Sequence, residues 1–131
     1  MFEYKGKRIA LTVCEDLWNV GNENPLYKIC PMDEMMAQKP DLMINISASP
    51  FAYDHAEERL HVMRTNVNRY QLPLFYINQV GAQTEVIFDG GSLVLSPKGE
   101  IYEELPYFEE VVKTYDLEAV MSGGPVSYTH L

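Results

Sequence analysis

The chain has 131 residues, 47% of them hydrophobic, which fits one domain or a large piece of one. Its net charge of −9 opposes binding to phosphate backbones and anionic lipid, so nucleic acid and membranes are poor partner candidates. No apolar run approaches the ~20 residues that cross a bilayer, and the polar start lacks a signal-peptide core. Two cysteines do not make the disulfide framework of a secreted protein, so the cytoplasm is the expected compartment.

The first half of the sequence predicts strands that alternate with helices. Pro31 falls near the start of the first helical pattern, where its missing N–H costs little. Asp54 can cap the second helix, and Glu57 follows at the spacing of a capping box. The predicted elements are a strand over residues 8–13, a helix over about 27–38, a strand over 42–47 and a helix over 54–70.

The second half predicts a run of strands. Ser96 to Gly99 contains Pro and Gly where a hairpin turn requires them. The predicted strands cover residues 74–78, 86–88, 92–95, 100–104 and 111–116. Strands that alternate with helices indicate a layered α/β fold. We expect one partial domain over residues 1–120 and a linker or non-native tail over 121–131, which has no periodicity.

Cys14 is the first candidate for chemistry because it ends a buried strand where the chain turns. Reactive residues of α/β proteins commonly lie at the carboxyl ends of strands. A buried structural cysteine is the alternative, and it is the commoner fate of cysteines in general. No histidine or lysine follows within ten residues, so an activating group for a nucleophilic thiol has to come from elsewhere.

Four segments in register carry a family resemblance that covers about residues 7–118. Cys14-Glu15-Asp16-Leu17-Trp18 resembles the nucleophile motif of the nitrilase (carbon–nitrogen hydrolase) superfamily, in the form typical of glutamine-dependent NAD synthetases. Residues 45–51, 78–81 and 88–92 resemble three further segments of the same family, in its order and spacing.

The resemblance implies a fold and a reaction. The fold is the later half of a four-layer α-β-β-α nitrilase-type sandwich. The reaction is hydrolysis of the glutamine side-chain amide, which supplies ammonia for NAD synthesis. Cys14 matches the nucleophile, and the backbone N–H of Glu15 matches a donor to the oxyanion. The family's general-base glutamate and its oxyanion lysine precede the cysteine strand and match nothing here, so we expect the isolated chain to be inactive.

The resemblance also implies a substrate site. Ser49 and His55 match two positions that hold glutamine, although the family usually has Lys or Arg where this sequence has His55. Without the resemblance, Ser49 reads as a loop serine bonded to its own backbone and His55 as a solvated residue of a first helical turn. The implied partners are L-glutamine, the upstream half of the domain, a synthetase domain and further copies of the chain. No cofactor is expected in this segment, since ATP and magnesium belong to the family's synthetase domain.

The other polar residues favour no further site. His55 and His61 lie six apart on one helix, about 240° around, and no cluster has metal-ligand spacing, so we expect no metal. Arg59, Arg64 and Arg69 are interpreted as surface or ion-pair residues, and the stretch from Glu57 to Arg59 as a solvated face. The two glycines at 90 and 91 favour a turn or bulge over a phosphate cradle, because no helix follows them.

Two rival functions remain open from the sequence. One is a different nitrilase-type amidase, although the glutamate after Cys14 favours the NAD-synthetase branch. The other is a non-catalytic domain that keeps the fold for assembly, since a truncated sheet with exposed edges would bind partners.

Overall fold

The computed structural model describes residues 1–17, 31–48, 55–83 and 86–122. The side chains of Glu15 and His55 lie outside the description, as do Ser49, the predicted cap Asp54 and the first residues of the helix predicted over 27–38. Within the described ranges, no helix is long and apolar enough to cross a bilayer.

The described residues form one large mixed sheet and one small hairpin. The strands are β1 (Phe2–Tyr4), β2 (Lys7–Val13), β3 (Leu42–Ser47), β4 (Leu74–Asn78), β5 (Val80–Gln83), β6 (Val86–Asp89), β7 (Leu93–Leu95) and β8 (Ile101–Glu104). The large sheet has the order β1-β2-β3-β4-β7-β8, and β5 pairs with β6. The three central strands β2, β3 and β4 are parallel, so their carboxyl ends share one edge of the sheet.

The helices are α1 (Pro31–Met35), which continues as a 3-10 helix over Met36–Gln38, α2 (His55–Tyr70) and α3 (Leu117–Met121). Helices α1 and α2 lie on one face of the large sheet. Helix α1 packs on β2, and α2 packs on β4 and β7. Pro31 is the first residue of α1, as its fixed φ and missing N–H favour. The core between helices and sheet includes Ala10, Met32, Met43, Met63, Val67, Leu74, Tyr76 and Leu95.

The opposite face of the parallel strands is apolar and open. Leu11, Val13, Ile46 and Ile77 point to this face and are 37–53% exposed. Parallel strands are normally covered on both faces, because their crossover connections place structure on each side. An α/β sheet covered on one face and apolar on the other confirms the predicted fold class and fits half of a layered sandwich.

The strands and helices predicted up to residue 104 are confirmed where the structure describes them, with ends shifted by at most one residue. The start of the helix predicted over 27–38 lies outside the described residues. The strand predicted over 111–116 is wrong, because this segment pairs with no strand. Instead Tyr115 places its ring 6.0 Å from Phe75 and 6.2 Å from Tyr102, which draws the segment across the sheet face. The sequence analysis missed β1, β5 and α3, and α3 ends one residue past the predicted domain end at 120.

Candidate active site at the carboxyl edge of the parallel strands

Cys14 lies directly after β2, at the shared carboxyl edge of the three parallel strands. Its side chain is exposed, so the alternative of a buried structural cysteine is wrong. Its φ of +49° lies in the left-handed region, which costs a residue with a Cβ on the order of 1–3 kcal/mol. Such strain persists only where the surrounding structure holds it, and it turns the cysteine sharply out of the strand.

The turn that contains Cys14 is fixed at both ends. A 3-10 helix covers Cys14–Leu17, and the carboxylate of Asp16 accepts a hydrogen bond from the backbone N–H of Val13 at 2.8 Å. On α2, the buried amide of Asn66 donates to the carbonyl oxygen of Leu17 at 2.8 Å. Leu17 itself is 1% exposed and belongs to the core. The turn is therefore anchored to the sheet and to the main helix.

A buried polar network lies under Cys14 on the helix-covered face. Asn45 and Thr12 are paired across β3 and β2 and are nearly inaccessible to solvent. The Asn45 amide nitrogen donates to Thr12 Oγ1 at 2.9 Å and to the Cys14 carbonyl oxygen at 3.3 Å. The Ser47 hydroxyl donates to Asn45 Oδ1 at 2.6 Å, and the Thr12 hydroxyl donates to the Ile44 carbonyl. Every polar atom of the Asn45 side chain is thus bonded, as burial requires.

A second polar cluster lies at the end of β4. The Arg59 guanidinium pairs with Asp89 at 2.6 Å, and both side chains are at most 3% exposed. Asn78 donates to Asp89 Oδ1 at 3.4 Å and to the carbonyl of Gly90 at 2.8 Å. The predicted solvated face holds for Glu57 and Glu58 but is wrong for Arg59, which α2 turns inward.

Each of the three arginines of α2 is a surface or ion-pair residue, as the sequence predicted, and Arg59 is the buried member of an ion pair. Arg64 is exposed and donates to the Gly99 carbonyl at 3.1 Å, and Arg69 pairs with Asp33 at the surface. The two glycines at 90 and 91 have φ of 72° and 65° and connect β6 to β7, which confirms the predicted turn. A Cβ on Gly91 would clash with the ring of Tyr107, so a larger residue here would require that ring to move.

Of the predicted site residues, the structure describes Cys14 and the backbones of Glu15 and His55. Glu15 occupies the first turn after Cys14, and its backbone N–H belongs to the same peptide group as the Cys14 carbonyl. His55 is the first residue of α2, and Ser49 lies outside the described residues, so their predicted contact with glutamine stays a prediction. His61 is exposed on α2. The described residues hold no group of three His, Cys, Asp or Glu side chains that could bind a metal.

The sequence analysis missed two residues that hold the turn, Asn45 and Asn66. Each interrupts an apolar pattern at a position that faces the core, one in the strand Leu42–Ser47 and one in the long helix. A polar residue at a buried position was the available signal, because burial of an amide requires hydrogen-bond partners.

An apolar cavity of about 380 Å³ lies away from Cys14. It opens between β4, β7 and the segment that follows β8, with Phe75, Val94, Val111 and Tyr115 among its lining residues. Because none of the turn residues lines it, we do not assign it to the chemistry of Cys14.

Comparison with known proteins shows consistent similarity. No protein-family model matches the chain. A glutamine-dependent NAD(+) synthetase from Synechocystis is 36% identical over 124 residues, 90% of this chain and 22% of that protein. The glutamine-dependent NAD+ synthetase structure from Acinetobacter baumannii matches with a TM-score of 0.71 at 28% identity, over 84% of this chain and 19% of the other. A mutant of the Nesterenkonia AN1 amidase, of the nitrilase superfamily, has the same fold: TM-score 0.62, 23% identity, over 80% of this chain and 36% of the other.

The chain shares its fold with an amidase of the nitrilase superfamily. Its sequence relatives are glutamine-dependent NAD synthetases, as the motif around Cys14 predicted. The chain spans about a fifth of the length of the curated relatives that it matches.

Proposed function

We propose that this chain carries the nucleophile of a glutamine amidohydrolase that supplies ammonia for NAD synthesis. The observation that carries the proposal is the exposed thiol of Cys14 in a left-handed turn at the carboxyl end of a parallel strand. A nucleophile on a sharp turn at a strand end is accessible to substrate while its backbone is held by the sheet. The similarity to glutamine-dependent NAD synthetases supports glutamine as the substrate.

The proposed reaction is an acyl transfer in two steps. The Cys14 thiolate attacks the carbonyl carbon of the glutamine side chain, and the carbonyl oxygen becomes an oxyanion that accepts a hydrogen bond from the Glu15 N–H. The C–N bond then breaks, the nitrogen takes a proton and ammonia leaves. Water attacks the resulting thioester, which releases glutamate and the thiol.

The proton transfers and the remaining oxyanion contact require groups outside this chain. In the family that the chain resembles, a glutamate base and a lysine perform these roles, and both precede the cysteine strand. The open apolar face of Leu11, Val13, Ile46 and Ile77 offers a surface on which such an upstream segment would pack. We therefore propose that the site is completed by the upstream half of the domain.

The substrate contacts and the wider context belong to the same proposal. Ser49 would bind the glutamine, and His55 at the start of α2 would bind its α-carboxylate. A synthetase domain, with ATP and magnesium bound there, would consume the ammonia, and assembly into homo-oligomers in the cytoplasm is expected. No cofactor is assigned to this segment.

A non-catalytic assembly domain is the second candidate, because the open apolar face by itself favours binding to another segment or chain. One experiment separates the two. Ammonia release from glutamine is measured for the chain alone and for the chain co-produced with the upstream segment of the Synechocystis relative.

We expect negligible turnover alone and turnover in the complex that Cys14→Ala abolishes. Turnover by the chain alone should be negligible because loss of one member of a catalytic set commonly removes several orders of magnitude in rate. Ammonia release that survives Cys14→Ala, or a stable complex without any turnover, would reject the glutaminase and favour assembly. Turnover of small aliphatic amides in preference to glutamine would favour a different amidase.

A further inference from the structure

We propose that Asn45 is a positioning residue that orients the oxyanion donor of the Cys14 site. The inference rests on the proposed function, since it concerns the backbone N–H of Glu15 that would bind the developing oxyanion. It is carried by one contact, from the buried Asn45 amide to the carbonyl oxygen of Cys14 at 3.3 Å.

Cys14 and Glu15 are joined by a peptide group that is planar and trans, because the described residues contain no cis peptide bond. In a trans peptide the C=O and the N–H point in opposite directions. Because Asn45 holds the Cys14 C=O on the buried side of the turn, the Glu15 N–H points away from Asn45. The hydrogen bond from Asn45 to the Cys14 carbonyl therefore sets the direction of the Glu15 N–H, which lies at the opposite edge of the same planar group.

The hydrogen-bond network fixes which end of the Asn45 amide faces Cys14. The hydroxyl of Ser47 donates to Asn45 Oδ1 at 2.6 Å, which identifies that atom as the acceptor. The single hydroxyl hydrogen of Thr12 goes to the Ile44 carbonyl, so Thr12 Oγ1 is free to accept from Asn45 Nδ2 at 2.9 Å. A carbonyl oxygen can only accept, so the NH2 group has to face both Thr12 and Cys14.

The position of Asn45 makes this contact rigid. Its side chain is fully buried, and it is paired in register with Thr12 on β2 and with Tyr76 on β4. Cys14 has a φ of +49°, a conformation that needs support from its surroundings. An amide held in the middle strand of the parallel set supplies that support from the side opposite to the exposed thiol.

The experiment compares two reactions of Cys14 in the full 131-residue chain. Acylation by p-nitrophenyl acetate passes through an oxyanion: the S–C bond forms, and p-nitrophenolate leaves. Alkylation by iodoacetamide displaces iodide at a saturated carbon and forms no oxyanion. Both rates depend on the thiolate, so their ratio isolates the contribution of the oxyanion donor. Neither reaction requires glutamine, so failure of the glutaminase proposal would not affect the comparison.

We expect Asn45→Leu, which removes the donor at similar volume, to lower the acylation rate about ten- to hundredfold and leave the alkylation rate within about twofold. Ser47→Ala is a milder change that removes the hydrogen bond to Asn45 Oδ1 and so loosens the amide, and it is expected to lower the ratio severalfold. It keeps the proposal testable if Asn45→Leu does not fold. Thr12→Val is the control, because it removes the other acceptor of Nδ2 and keeps the Cys14 contact.

Three results would overturn the proposal. The first is an equal fall of the acylation and alkylation rates in Asn45→Leu and in Ser47→Ala, because Asn45 would then only support the fold. The second is a lowered ratio in Thr12→Val as large as in Asn45→Leu. The third is normal alkylation of Cys14 in the unsubstituted chain with no Cys14-dependent acylation, since the thiolate would then act without a donor.

Discussion

Arg59 and Asp89 form an ion pair at 2.6 Å in which neither side chain is more than 3% exposed. The pair joins the first half of α2 to the end of β6, thirty residues further along the chain. Asn78 at the end of β4 also contacts Asp89, so the pair lies at the same edge of the sheet as the Cys14 turn. It links the helix that anchors the turn to the hairpin that follows β4.

Removal of one partner of this pair should destabilise the fold strongly. Arg59→Met leaves the Asp89 carboxylate buried without its cation, and a broken buried pair costs about 3–5 kcal/mol of unfolding free energy. Chemical denaturation of the variant measures the loss. The double variant Arg59→Met/Asp89→Leu should recover part of it, because no charge is then left uncompensated.

Arg64→Met is the matched control, because Arg64 lies on the same helix but is exposed. A surface change of this kind is expected to stay within about 0.5 kcal/mol. If Arg59→Met costs no more than Arg64→Met, the buried pair does not hold α2 to the hairpin.

Glu103 should make stability depend on pH. Burial raises the pKa of this carboxyl. Hydrogen bonds from Lys113 and Tyr115, together with the charge of Lys113, lower the pKa by more than burial raises it, so the net pKa lies below its ordinary value of 4.5. A lowered folded-state pKa means that the stabilisation is present above that ordinary value and disappears as pH falls through the folded-state pKa. The free-energy difference between the unsubstituted chain and Glu103→Gln should therefore shrink on acidification.

Glu100→Gln provides the comparison, because Glu100 directly precedes β8 and is exposed. Urea denaturation from neutral to acid pH measures all three proteins. An unfolding free-energy difference for Glu103→Gln that stays constant over this range would contradict the prediction.

The open sheet face should cause self-association of the chain when it is made alone. Ile77 is 49% exposed on this face, beside Ile46 and Phe75 of the same sheet. Ile77→Thr should shift the chain toward monomer in size-exclusion chromatography, because it removes apolar area from the surface that would associate. Co-production with the upstream segment should have the same effect by covering that face.

Ile87 offers a matched control with the same 49% exposure, because it lies on the β5–β6 hairpin and not on the large sheet. Ile87→Thr should leave the association unchanged. A monodisperse monomer with a sharp cooperative melt in the unsubstituted chain would refute the prediction.

His55 should make glutamine affinity depend on pH in the complete protein. A lysine or arginine would stay charged at all physiological pH values, whereas histidine is mostly neutral above its ordinary pKa. Bound carboxylate favours the protonated ring, so glutamine affinity should weaken as pH rises through that pKa. A KM series over pH on the chain with its upstream segment measures this, and His55→Lys should flatten the dependence.

His61→Ala is the control for His55, since His61 is exposed on the same helix. If a neutral His55 ring donates one N–H to glutamine, the affinity for glutamine would depend little on pH but would fall clearly in His55→Ala. Flat affinity together with normal binding by His55→Ala would mean that His55 is a surface residue.

The sequence predicted the central strands and the long helix because each has a strong local signal. Residues 42–47 and 74–78 are short apolar runs bounded by turn residues, and the long helix has apolar side chains at helical spacing. The strand predicted over 111–116 failed because a β-branched run does not reveal whether a strand edge is available to pair with it. Here Tyr115 packs on Phe75 and Tyr102, and that aromatic contact determines the path of the segment.

The position of Cys14 at the end of a strand was predictable, because the apolar run before it has a strong strand signal. Its role as the nucleophile stays a prediction. The supporting amides Asn45 and Asn66 were not predictable, because their partners, the carbonyls of Cys14 and Leu17, are 31 and 49 residues away in sequence. Contacts across such distances follow only from the three-dimensional packing of α2 and β3 against the turn. The same holds for Arg59, whose burial depends on Asp89.

The most direct test of Cys14 as the nucleophile is peptide mapping by mass spectrometry of the chain with its upstream segment, after acid quenching during glutamine turnover. We expect one glutamyl group attached as a thioester to the peptide that contains Cys14, sensitive to hydroxylamine and absent in Cys14→Ala. Ammonia release with no adduct on that peptide, or with an adduct on any other residue, would contradict this role of Cys14.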